Sequence, residues 1–194
     1  MASILTSLGR TVLAGFVLLL VIVLIFGNYV DPTSSAWQAF LLRWLHVMAG
    51  ILWIGLLWYF NFVQIPSMPK IPDEQKPAIG KVIAPAALFW FRWAAAATVL
   101  FGVLTAITNG YARQAFTLQP GLQAIGLGMW LALIMAFNVW FIIWPNQKKA
   151  LGMVAVDADA KAKAARTAML TSRINTLLSI PMLYLMVAQQ NGGL

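Results

Sequence analysis

The chain has 194 residues, of which 61% are hydrophobic and 9% charged, with no cysteine and a formal net charge of +8. So little polar surface cannot coat a soluble globule of this length, which leaves lipid as the solvent and phospholipid headgroups, not nucleic acid, as the anionic partner of the basic excess. Without cysteine there are no disulfides, thiolate metal sites, iron–sulfur clusters or covalent c-type haem, and no phosphate loop, zinc-binding helix motif or nucleophile elbow is present.

Five transmembrane helices are predicted, at about residues 11–29, 37–64, 85–108, 121–144 and 167–189, each near the roughly 20 residues that cross a hydrocarbon core. The fold class is therefore an all-α polytopic membrane bundle, one domain over residues 1–194, with no internal repeat. The first segment is branched and aliphatic, is expected to be retained and not cleaved as a signal peptide, and suits a lipid-facing helix. Asp31 and Pro32 break it, and the second segment is expected to stop where Pro66, Pro69 and Pro72 follow one another. The third closes at Asn109–Gly110, the fourth starts after Gln119–Pro120 and stops at Pro145, and the fifth is interrupted by Pro181. An alanine-rich lead-in at 157–166, with aspartates able to cap it, is expected to start the last helix in water.

With five crossings, Arg10, Lys70, Lys76, Lys81, Lys148, Lys149, Lys161, Lys163 and Arg166 fall on one side and Arg113 alone on the other. The excess of basic loop residues places the amino terminus in the cytoplasm and the carboxyl terminus outside, in a bacterial inner membrane. Small residues at helical spacing mark the faces expected to pack against other helices: Ala94, Thr98, Gly102 and Ala106 in the third segment, and Gly128, Ala132 and Ala136 in the fourth.

Three arginines lie within the spans, Arg43, Arg92 and Arg173, whereas all five acids lie in loops or lead-ins. A buried cation without a carboxylate demands another partner. Arg92 and Arg173 sit at similar depth, so they either snorkel to headgroups or hold an anion between the third and fifth segments: a lipid phosphate, a cofactor carboxylate or an acid of another subunit. Ser172, Asn175, Thr176 and Ser179 form a polar stripe expected to face the bundle, and Asn138 is expected to hydrogen-bond between helices. Trp37, Trp90 and Trp144 have the positions of interfacial belt residues.

His46, the single histidine, shares a helical face with Arg43, Gly50 and Trp53. A haem b could lie on the glycine with His46 as a ligand to its iron and Arg43 meeting a carboxylate, although a second histidine ligand from this chain is impossible. The plainer reading is a hydrogen-bonded structural histidine.

The stretches LLRWLHVMAGILWIGLLWYF (41–60), FWFRWAA (89–95), NVWFIIWPNQKK (138–149) and SRINTLLSIPMLYLMVA (172–188) resemble the amino-terminal membrane domain of bacterial membrane-bound urate oxidases. LHVMAGILWIG is also similar to the first helix of the oxygen-independent, haem-binding protoporphyrinogen oxidase family. In the urate oxidase family a cytochrome c domain follows the membrane domain, which implies electrons leaving toward the outer face. That carrier is not within these residues, so no catalytic assignment is carried over. The positions on the matching phrases are Arg43, His46, Arg92, Asn138, Arg173 and Asn175. The lack of that carrier within these residues, the near absence of soluble loops and the unmatched arginines suggest an accessory or structural membrane subunit of a respiratory or photosynthetic redox complex, in contact with other membrane subunits, and the basic charge suggests contact with anionic phospholipid. Haem b on His46 and a small-molecule transporter are the alternatives, the latter lacking the usual repeat.

Overall fold

The computed structural model describes residues 2–27 and 31–193. Every regular element among them is helical. Five helices are long and apolar enough to cross a membrane: Leu8–Phe26, Ser35–Lys70, Lys76–Thr108, Gln123–Ala150 and Ala158–Asn191, here the first to the fifth helix. The predicted end of the first, at Tyr29, lies outside the described residues. The chain divides into two compact units, Met1–Gln38 and Ala39–Leu194. In the first unit a short turn of helix, Ala2–Leu5, precedes the first helix, whose start is tied by Thr11 donating to the Ser7 carbonyl at 3.0 Å.

The helices run further than the prolines suggest. The second continues through Pro66 and Pro69 to Lys70, the third begins at Lys76 and not Pro85, and the fourth continues past Pro145 to Ala150. A proline cannot donate to the carbonyl four residues back, and its ring collides with that carbonyl. Here each of these prolines is preceded by a wide, π-helical turn: Tyr59–Gln64 before Pro66, Ile79–Ile83 before Pro85 and Asn138–Ile143 before Pro145. The residue ahead of each proline, Ile65, Ala84 or Trp144, donates to the carbonyl five residues back, of Phe60, Ile79 or Val139. The register slip makes room for the ring, so the helix bends its hydrogen-bond pattern instead of ending.

The fourth helix begins at Gln123, later than Gly121, because Gly121 has φ +83° and belongs to the preceding turn. The fifth starts at Ala158, where the Asp157 carboxylate accepts from the Ala160 N–H at 2.7 Å, and passes Pro181 to Gly192, whose φ of +64° ends it. The expected lead-in and its Asp157 cap are both present, within one continuous helix.

In the second unit the second to fifth helices pack as antiparallel neighbours. His46 meets Gly102 and Gly50 meets Thr98, so the second and third helices run in opposite directions. Trp93 stacks edge-on against Trp140 between the third and fourth, at 5.4 Å. Gly128 faces Leu185 and Met186 between the fourth and fifth, and the Trp58 indole donates to Ser179 at 3.0 Å between the second and fifth. The core is Trp53, Leu57, Phe60, Leu88, Phe91, Met135, Val139, Ile143 and Met182. The small faces lie where expected: Ala94, Thr98 and Ala106 are buried, as are Gly128 and Ala132, while Gly102 and Ala136 are half-buried. In lipid this close backbone approach, and not water exclusion, supplies the packing energy.

Candidate functional site

The π-helical turns bring two asparagines against the fifth helix. Asn61 lies within the first and Asn138 opens the third. Asn138 donates to the Asn175 carbonyl oxygen at 2.8 Å, and Asn175 in turn donates to the Met135 backbone carbonyl at 2.9 Å. Asn61 donates to the Leu57 carbonyl at 2.9 Å and to the Ser172 hydroxyl at 2.8 Å. Ser179, which accepts from Trp58, passes its own proton to the Thr176 carbonyl at 2.7 Å. Asn175 and Ser179 are fully buried. The stripe on the fifth helix therefore faces the bundle: the π-helical Asn61 and Asn138 meet Ser172 and Asn175, Trp58 meets Ser179, and the Thr176 hydroxyl donates within its own helix to the Ser172 carbonyl at 3.1 Å.

Several buried polar atoms on the second, third and fourth helices are not answered: Asn61 Oδ1, Gln64 Oε1, Gln147 Oε1, Arg92 Nη1 and the Trp53 indole N–H. Native interiors leave few such groups, and each one points to a solvent molecule, ligand or strain at that place. The Arg92 guanidinium lies 3.4 Å from the centre of the Trp144 ring, with Lys148 5.6 Å from the same ring. Trp144 is thus a cation-binding surface for two basic residues and not only a belt residue. Arg173 lies elsewhere, at an open cleft of about 360 Å³ between the second and fifth helices that Asn61, Phe62 and Thr176 also line. Arg92 and Arg173 are not brought to one anion between the third and fifth helices: the first is engaged by the fourth helix, the second faces the cleft. Among the described residues the ion pair is Lys76 with Asp73, at the loop end of the bundle.

His46 Nδ1 lies 2.8 Å from the Thr98 carbonyl. A carbonyl only accepts, so Nδ1 carries the proton and Nε2 keeps its lone pair. The ring lies flat against Gly102, where a methyl group would come within 2.8 Å of it. This is the hydrogen-bonded arrangement of a packed histidine. Of the face predicted around it, Trp53 is fully buried and Gly50 is covered by Thr98, 3.8 Å from where a Cβ would stand. The third helix occupies the surface on which a macrocycle would lie, so these residues do not fit a haem seated over Gly50 and Trp53. Arg43 is exposed beside Tyr111. In the connection between the third and fourth helices, burial pushes the Tyr111 phenol above its ordinary range, and the Arg43 charge draws it back.

Asn61, Gln64 and Trp58 carry much of this polar arrangement and do not stand out in a search for charged or histidine side chains. The signal that Asn61 and Gln64 offer is an amide within an apolar run, five and two residues ahead of Pro66.

The family model of the urate oxidase N-terminal region matches residues 105–192. No curated protein and no solved structure matches the chain. The matched range runs from the end of the third helix through the fifth, and so includes Asn138, Trp144, Arg173 and Asn175. The phrases at 41–60 and 89–95, with Arg43, His46 and Arg92, lie before it. The resemblance to the urate oxidase N-terminal family is accordingly shown over residues 105–192, the part of the chain that contains the fourth and fifth helices and their asparagine pair.

Proposed function

We propose that this chain is an integral membrane subunit that packs its apolar exterior against a larger redox complex, and that its amino terminus and lysine-rich loops face the cytoplasm. The observation that carries this reading is an open apolar groove of about 810 Å³ on the outer face of the third and fourth helices, walled by Val99, Leu100, Val103, Trp130, Phe137 and Trp140 among others. Aromatic surface of this extent suits a partner's helix, since Trp and Phe concentrate in the cores of protein interfaces. The urate oxidase N-terminal match over residues 105–192 supports the redox setting, since the family takes its name from an oxidase.

A second reading, haem b on His46, is favoured by the lone pair that the Thr98 hydrogen bond leaves on Nε2. Because the third helix covers the Gly50 face, the group would have to reach Nε2 from outside that helix pair. One preparation tests both. Native membranes solubilised gently and run on a native gel are expected to carry the chain in an assembly several times its 21.3 kDa, and the chain migrating alone would remove the subunit reading. The same material, reduced and oxidised, gives a Soret band that His46→Ala abolishes if haem is held there; no band, or one that survives the substitution, removes haem.

A further inference from the structure

The cleft between the second and fifth helices has an order that the bundle itself does not use. Arg173, exposed and without a carboxylate partner among the described residues, stands at the end nearest the basic lead-in with Lys161, Lys163 and Arg166. Leu177 and Ile180 continue the same wall, reaching about 10 Å deeper along the helix at 1.5 Å per residue, and Phe62 flanks it from the second helix. At the floor lies Asn61, only 9% exposed, whose amide group gives both protons to Leu57 and Ser172 while its Oδ1 receives nothing. The cleft thus places a cation, a ring and a buried, unanswered acceptor at its polar end, and two aliphatic side chains beyond them toward the middle of the bilayer.

We infer that this cleft is a binding site for one anionic phospholipid whose headgroup carries hydroxyl groups, as phosphatidylglycerol does. The phosphate accepts from the Arg173 guanidinium beside Phe62, a headgroup hydroxyl donates to Asn61 Oδ1 once the side chains covering that atom part, and an acyl chain follows Leu177 and Ile180 inward. The order of polar and apolar groups matches a lipid of the leaflet that meets the lysine-rich loops, and no protein carboxylate competes for the arginine. A neutral zwitterionic lipid would bring an ammonium group beside Arg173, and phosphatidic acid has no headgroup hydroxyl, so it could offer Asn61 only an O–H of the phosphate that Arg173 favours as ionised. This assignment rests on the bundle lying in a membrane but not on any partner subunit.

Native mass spectrometry of the purified full chain in detergent, with added phosphatidylglycerol, phosphatidic acid or phosphatidylcholine of equal chain length, tests it. One copy of phosphatidylglycerol is expected to be retained, with about tenfold preference over phosphatidylcholine, a step of one decade in Kd. Arg173→Gln, at an exposed position that leaves the core untouched, is expected to erase that preference, whereas Arg166→Gln on the same helix keeps it. Asn61→Leu is expected to remove the smaller preference for phosphatidylglycerol over phosphatidic acid. Equal retention of all three lipids, or an unchanged preference in Arg173→Gln, would overturn the site. Displacement of the lipid by excess inorganic phosphate would overturn the lipid as its occupant, leaving a site for free phosphate.

Discussion

Gly126→Ala is expected to lower the stability of the bundle by about 3 kcal/mol, at the upper end of the usual cost of overpacking. A Cβ at Gly126 would stand 2.1 Å from the Ala115 carbonyl oxygen and 2.7 Å from Leu118 Cδ2. The first of these is backbone and cannot swing aside. The short helix Ala112–Phe116 is pressed onto the fourth helix at this point, with the Trp130 indole donating to the Phe116 carbonyl at 3.1 Å and the Phe116 ring edge-on to Trp130. Relief requires the whole connection to lift, and with it the Gln189 clamp, whose amide accepts from Ile125 and donates to Gly121. Unfolding in detergent by heat or denaturing surfactant measures the loss. Gly55→Ala, where a Cβ has nothing within 4 Å, serves as the control and is expected to change little.

Asn175→Leu is the second large effect, about 2 kcal/mol, from stranding a buried amide at roughly 1–3 kcal/mol. Leucine keeps the volume but strands the Asn138 amide and withdraws the donor from Met135, in a place with no access to water. Hydrogen bonds between membrane helices average only about 0.6 kcal/mol, so the expected cost lies in the stranded group and not in the bond. The sign follows from that. The double variant Asn138→Leu/Asn175→Leu is expected to be more stable than Asn175→Leu alone, since it removes both halves of the pair. A double-mutant cycle with simple additivity would show that the two asparagines are not coupled.

Much of the fold is legible in the sequence because lipid makes the code simple: long apolar runs are helices, and small residues every fourth position are contacts. Ala94–Thr98–Ala106, Gly128–Ala132 and the Ser172–Asn175–Ser179 stripe all follow from spacing alone. The helix limits do not, because Pro66 and Pro145 read as stops and Pro85 as a start, when a π-helical turn ahead of each lets the helix run through. The same misreading hides Asn61, which the first of those turns carries into the core. Depth along a helix places Arg92 and Arg173 at one level but says nothing of which neighbour each meets, and Trp144 and the Asn61 cleft separate them. Glycine beside histidine reads as room for a ligand, yet here the room at Gly50 and Gly102 is taken by the neighbouring helix.

The placement of the bundle in a membrane, with its basic loops on one side, underlies each of these assignments, and the absence of cysteine makes it directly accessible. Single variants Arg113→Cys and Lys149→Cys, both at exposed positions, can be challenged in intact cells with a membrane-impermeant maleimide. Arg113→Cys is expected to react at once and Lys149→Cys only after the membrane is opened. If both react from the same side, the fourth helix does not cross.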